Sequence, residues 1–170
     1  APMVHRSGAV TPPLDLLDNS GDWYRFPSFS AYFDELERSP AATNFAPMIG
    51  HTTLRVMSMD DLDRPARAAE IGRMQSLARE ALAAGVIGVS TGTFYEPAAA
   101  APTAEIIEVC RPLSGFKGLY VTHMRNEAEL IIDALDETFE IGRALGIQVV
   151  ISHHKVAGLA NHGRSVETLA

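Results

Sequence analysis

Cysteine is nearly missing from this sequence. Cys110 stands alone among 170 residues, which excludes an internal disulfide and fits a reducing compartment. Positive charge is scarce as well: 14 Lys and Arg face 21 Asp and Glu, for a formal charge of −7, without a basic run. That balance argues against a nucleic-acid partner held by bulk charge. Long apolar runs are lacking too, since no stretch approaches the roughly 18–20 residues that cross a bilayer. The opening Ala1-Pro2-Met3 shows no charged segment followed by an apolar one, so no secretory leader is read there. These absences lead to the expectation of a cytoplasmic chain with neither a membrane nor a nucleic-acid partner. What is present, 46% apolar and 21% charged residues, is ordinary globular composition.

Residues 1–27 read as irregular, punctuated by Pro2, Gly8, Pro12, Pro13, Gly21 and Pro27. Ser28 is placed to cap a helix through about Arg38, with Phe29, Tyr32, Phe33 and Leu36 on one face. A weak strand pattern over Thr43–Gly50, interrupted by Pro47, is followed at once by His51. Ala66 to Ala84 has helix-favouring composition and an apolar face from Ile71, Met74, Leu77, Ala78, Ala81 and Leu82, and Gly85 stops it. Val86–Ser90 reads as a short buried strand, and Thr91–Pro102 as a loop carrying Thr93, Phe94, Tyr95 and Glu96. Thr103 then caps a helix to about Ser114, with Glu105 favourable in its first turn. Ile106, Ile107, Cys110 and Leu113 share a face of it, which makes Cys110 a small core residue rather than a nucleophile.

The chain is organised around Leu119–Lys155. Two strand patterns, Leu119–Arg125 and Ile147–Lys155, each run into a histidine, His123 and His153. Asn126–Leu145 between them reads as a helix: Asn126 is the N-cap with Glu129 three residues on, Leu130, Ala134, Leu135, Phe139 and Ile141 form a stripe, and Gly146 ends it. Strand, helix and strand with apolar character on both faces predict a parallel sheet with helices packed outside. The two histidines then sit at the C-terminal ends of neighbouring strands roughly 4.8 Å apart, close enough to converge on one metal ion. Each is followed two residues later by a cation, Arg125 and Lys155, which faces the same site if extended geometry persists. By that parity Ile147, Val149, Ile151, His153 and Lys155 share one face. Pattern alone leaves a second reading open, in which the histidines are merely hydrogen-bonded and the cations solvated.

Strand starts near residues 45, 86, 119 and 147 are about 41, 33 and 28 apart, close to the ~30 residues of one eighth of a (β/α)₈ barrel. Polar residues gather at the strand C-terminal ends, at His51, Ser90 to Tyr95, His123 and His153. That distribution favours a partial (β/α)₈ TIM barrel of about four βα units over an open doubly wound sheet, which uses its switch point. Residues 1–170 are expected to form one incomplete domain.

Five segments are recognisable together: Gly50-His-Thr-Thr-Leu-Arg55, Gly88-Val-Ser-Thr-Gly-Thr-Phe-Tyr95, Glu105-Ile-Ile-Glu-Val-Cys-Arg-Pro-Leu113, Thr122-His-Met-Arg-Asn-Glu127 and Val150-Ile-Ser-His-His-Lys-Val156. In them the chain resembles the D-aminoacylase (N-acyl-D-amino-acid deacylase) family of the amidohydrolase superfamily, over about Leu14 to Ala170. The resemblance implies an amidohydrolase-type barrel, a zinc cofactor bound by His123 and His153 rather than His154, and a small-molecule N-acyl-D-amino acid substrate whose carboxylate is met by Tyr95 and Lys155. It assigns no role to Arg125 or His51. The His-x-His pair, metal-binding cysteine and acid–base aspartate of the family have no counterparts here, so no catalytic residue falls in the segment and an internal fragment is expected. Two other readings stay open: a dihydroorotase- or hydantoinase-like cyclic amidase, and a non-catalytic α/β binding module.

Overall fold

The computed structural model describes residues 22–169 together with Met3, Val4, Val10, Leu16, Asp18 and Ser20. The punctuation expected at Pro2, Gly8, Pro12, Pro13 and Gly21 lies outside the described residues. Helix α1 (Phe29–Arg38) opens as read, with the Ser28 hydroxyl accepting from the Ala31 amide at 3.1 Å. The following strand pattern shrinks to β1 (Ile49–Gly50), and His51 begins a helix that was not anticipated, α2 (His51–Ser58). Helix α3 (Ala68–Ala84) ends at Gly85, whose φ of 114° is a backbone state open to glycine.

Strand β2 (Gly88–Gly92) precedes α4 (Thr103–Cys110) and the short α5 (Pro112–Phe116). The single helix expected through Ser114 is broken because Pro112 lacks the N–H that would continue it. Thr103 is not the cap: it is the first helical residue, and its hydroxyl donates to Glu137 at 2.9 Å. Strand β3 (Leu119–His123), helix α6 (Ile131–Leu145) and strand β4 (Val149–Ile151) complete the order.

The four strands are all parallel and adjacent in chain order, β1-β2-β3-β4. Among the described residues each crossover advances by one strand, without the reversal that creates the switch point of a doubly wound sheet. The architecture is thus a partial barrel. Val89, Tyr120 and Val149 face the helices and join Ile106, Val109, Ile141 and Leu145 in the core. Contact on that side is close: a Cβ on Gly142 of α6 would stand 2.6 Å from Val149 Cγ1. The α6 stripe is rotated from the one read off the sequence, since Ile131, Ala134, Leu135 and Ile141 are buried while Leu130 and Phe139 are exposed. The opposite face of the sheet, with Ser90, Val121 and Val150, is covered far less, and Val150 is 44% exposed. Among the described residues no helix is long and apolar enough to cross a membrane.

Candidate metal centre

Alternation along β3 sends Leu119, Val121 and His123 to the face away from the helices. The register of β4 pairs Val149 with Tyr120 and Ile151 with Thr122, so Val149 and Ile151 face the helices. A strand continued to residue 153 would carry His153 to the wrong side. The structure corrects that parity. Strand β4 stops at Ile151, the Ser152 amide still donates to Thr122 O at 2.9 Å, and His153 turns in the left-handed region with φ 41°. The turn brings Nε2 of His153 to 2.9 Å from Nδ1 of His123.

A third donor was hidden in the sequence. Asn126 does not cap α6; its Oδ1 accepts from the amides of Ala128 and Leu130 at 2.8 and 3.1 Å, folding a turn that delays the helix to Ile131. Glu127, freed from the helix, projects to the histidines and is buried. Its Oε1 lies 3.1 Å from His153 Nδ1, its Oε2 lies 3.6 Å from His123 Nε2, and it is ion-paired with Lys155. Ligand atoms of His123, Glu127 and His153 all lie within 4.8 Å of one another. The signal available in the sequence was the carboxylate four residues after His123, but a helix register there would have turned it elsewhere.

The donor set fits a divalent metal. Burial holds His123 below the usual histidine range; Glu127 opposes that shift, and His153 and Lys155 reinforce it, so the neutral ligand form prevails. Two nitrogens about 2.0–2.1 Å from one tetrahedral zinc stand roughly 3.3 Å apart, near the separation of Nδ1 and Nε2 here. Glu127 Oε1 is buried, 3.1 Å from His153 Nδ1, and has no aligned hydrogen-bond partner, an oxygen left over for a proton on that ligand's ring.

The remaining candidates divide. Tyr95 reaches the centre, its ring centroid 4.9 Å from that of His123, and Lys155 Nζ is 3.1 Å from His153 Nδ1. Arg125 does not face it: β3 ends at His123, and the guanidinium turns to Glu137 and the carbonyls of Ala99 and Ala101. His154 points away to Thr168, 2.8 Å distant. His51 is fully buried elsewhere, 3.5 Å from Glu105, which also pairs with Arg55 and accepts from the Ala66 amide. Glu105 is therefore an interior anchor rather than a mere helix-dipole residue. Cys110 is fully buried, and burial pushes its thiol up to about 12.

No family model matches the chain. Individual proteins match it closely: it is 58% identical over 169 residues to a D-aminoacylase of Alcaligenes xylosoxydans xylosoxydans, with 99% of the chain covered. It also superposes on a crystal structure of D-aminoacylase that defines a novel subset of amidohydrolases, with a TM-score of 0.94 at 57% identity and 99% coverage. Over nearly its whole length the chain is similar to D-aminoacylases in both sequence and structure. It spans about a third of these relatives, 34% of the curated protein and 35% of the solved chain. An N-acyl-D-glutamate deacylase from Bordetella bronchiseptica was solved with zinc and a phosphonate mimic of the tetrahedral intermediate. It shares 39% identity and a TM-score of 0.82 over 85% of this chain and 30% of its own. A binuclear metal centre, with activation by one metal and attenuation by a second, is described for D-aminoacylase.

Proposed function

We propose that this chain is part of a zinc-dependent deacylase that cleaves the amide bond of N-acyl-D-amino acids to a carboxylate and a free D-amino acid. The convergence of His123, Glu127 and His153 at the strand ends carries this reading. Identity of 58% to a D-aminoacylase supports it over a cyclic amidase or a non-catalytic module.

In this reading His123 and His153, whose Nδ1 and Nε2 face each other, would hold a zinc ion. A bound zinc supplies a Lewis acid and lowers the pKa of coordinated water toward ~7. Tyr95 and Lys155 orient the substrate, the ammonium meeting its α-carboxylate in a charge-assisted hydrogen bond and the phenol supplying a second donor. The Tyr95 ring, lying against His123, screens one side of the centre from water. None of the 170 residues is assigned the acid–base role. A reducing cytoplasm suits the unpaired Cys110.

The test is hydrolysis of N-acyl-D- and N-acyl-L-amino acids by the full-length protein before and after chelation. Turnover of the D series alone, lost on chelation and restored by zinc, is expected. Turnover indifferent to chelator overturns the proposal.

A further inference from the structure

We propose that Glu127 is a positioning residue that fixes the tautomer of His153 and ties that ligand to Lys155. The inference rests on the metal-centre reading above and adds a residue that the sequence did not mark. Its basis is which ring nitrogen faces what. Nδ1 of His123 and Nε2 of His153 face each other at 2.9 Å. The opposite nitrogens, His123 Nε2 and His153 Nδ1, face the Glu127 carboxylate at 3.6 and 3.1 Å. Glu127 therefore stands behind both imidazoles, on the side away from the gap between them.

A histidine that ligates through Nε2 carries its proton on Nδ1, and that proton needs an acceptor. Two groups stand at His153 Nδ1. Lys155 Nζ, 3.1 Å away, is a cation and cannot accept. Glu127 Oε1, equally near and buried, is the acceptor of the two and takes the proton once Nδ1 carries it, although in this structure the contact is not aligned as a hydrogen bond and Nδ1 is met by the Lys155 ammonium. The other oxygen, Oε2, is taken by the Lys155 ammonium. One carboxylate thus serves two masters: Oε1 orients the metal ligand, and Oε2 holds the cation proposed to meet the substrate carboxylate. Glu127 is held in place by its own backbone, whose carbonyl accepts from the Ala157 amide at 2.6 Å just beyond Lys155. That hydrogen bond ties the loop after β3 to the loop after β4.

The experiment compares Glu127→Gln, Glu127→Ala and His153→Ala in the full-length protein, reading zinc affinity by chelator competition and folding by circular dichroism. Outer-shell carboxylate loss typically weakens metal binding 10–100-fold. That loss is expected for Glu127→Ala, with a smaller one for Glu127→Gln, whose amide oxygen still accepts from Nδ1. If Glu127→Ala misfolds, Glu127→Gln decides, because its volume is unchanged. Nitrogen-15 NMR of the zinc-loaded protein supplies a readout that a merely structural role would not move, and His153 is expected as the Nδ1–H tautomer. Wild-type zinc affinity in the folded Glu127 variants, or an Nε2–H tautomer at His153, overturns the inference while His153→Ala still loses zinc. If His153→Ala also binds zinc as the wild type does, the metal-centre reading itself falls.

Discussion

Arg125 and Glu137 form a bidentate ion pair, with Nε 2.9 Å from Oε2 and Nη2 2.8 Å from Oε1, that joins the chain just after β3 to helix α6. The same guanidinium donates to Ala99 O at 3.0 Å and Ala101 O at 2.8 Å. It therefore pins the loop that carries Tyr95, and it explains why His123-x-Arg125 and His153-x-Lys155 look alike in sequence but differ in space. Arg125→Ala is expected to destabilise the full-length protein by about 1.5–3 kcal/mol, the range for hydrogen bonds to charged groups. Chemical denaturation measures it, and an unchanged midpoint would show that the loop is held by other means.

His153→Ala is expected to lose zinc and activity in the full-length protein, whereas His154→Ala keeps both. The reason is the left-handed turn at residue 153, which aims the first imidazole at His123 and leaves the second bonded to Thr168. Zinc content of the two purified variants checks it; equal loss would refute the assignment.

Lys155→Ala should retain zinc and lose roughly ten- to a hundredfold in kcat/KM, the equivalent of one charge-assisted hydrogen bond. Comparing a substrate with a free α-carboxylate against its amide isolates the interaction. A variant that discriminates between the two as strongly as the wild type would remove Lys155 from the clamp.

Acid should weaken the α3 N-terminus. The hydrogen-bonded Arg64 is the main cause that draws the Glu70 carboxyl down from 4.5 to about 2, with the Arg67 amide also donating to it. A folded-state pKa below the unfolded one means stabilisation that is present above pH ~4.5 and disappears as pH falls toward 2. Because the pair lies near the surface, solvent screening keeps its contribution small. Glu70→Gln should flatten that part of the stability profile between pH 5 and 2; a profile identical to the wild type would contradict the pairing.

Expressed by itself, the 170-residue chain is expected to show no deacylase turnover and to aggregate. Among the described residues strands β1 and β4 each pair along one edge only, and Val150 on the face away from the helices is 44% exposed. Zinc-dependent turnover from a monodisperse, cooperatively unfolding monomer would count against this expectation.

What the sequence determined by itself was local and periodic. Ser28 as a cap, the apolar face of α3, Gly85 and Gly146 as helix stops, and Cys110 in the core all follow from spacing and backbone preference. So does the succession of strand and helix that makes a parallel partial barrel. What only the tertiary structure decided depends on groups distant in sequence. Strand alternation would have put His153 among the helices, and a capping box would have locked Glu127 into α6. Asn126 instead spends its oxygen on two loop amides, and His153 leaves the strand through a left-handed turn. Periodicity is blind to both events, because each is a single-residue departure from regular geometry: the Asn126 turn is closed by amides two and four residues on, and the His153 turn is set against His123, thirty positions back.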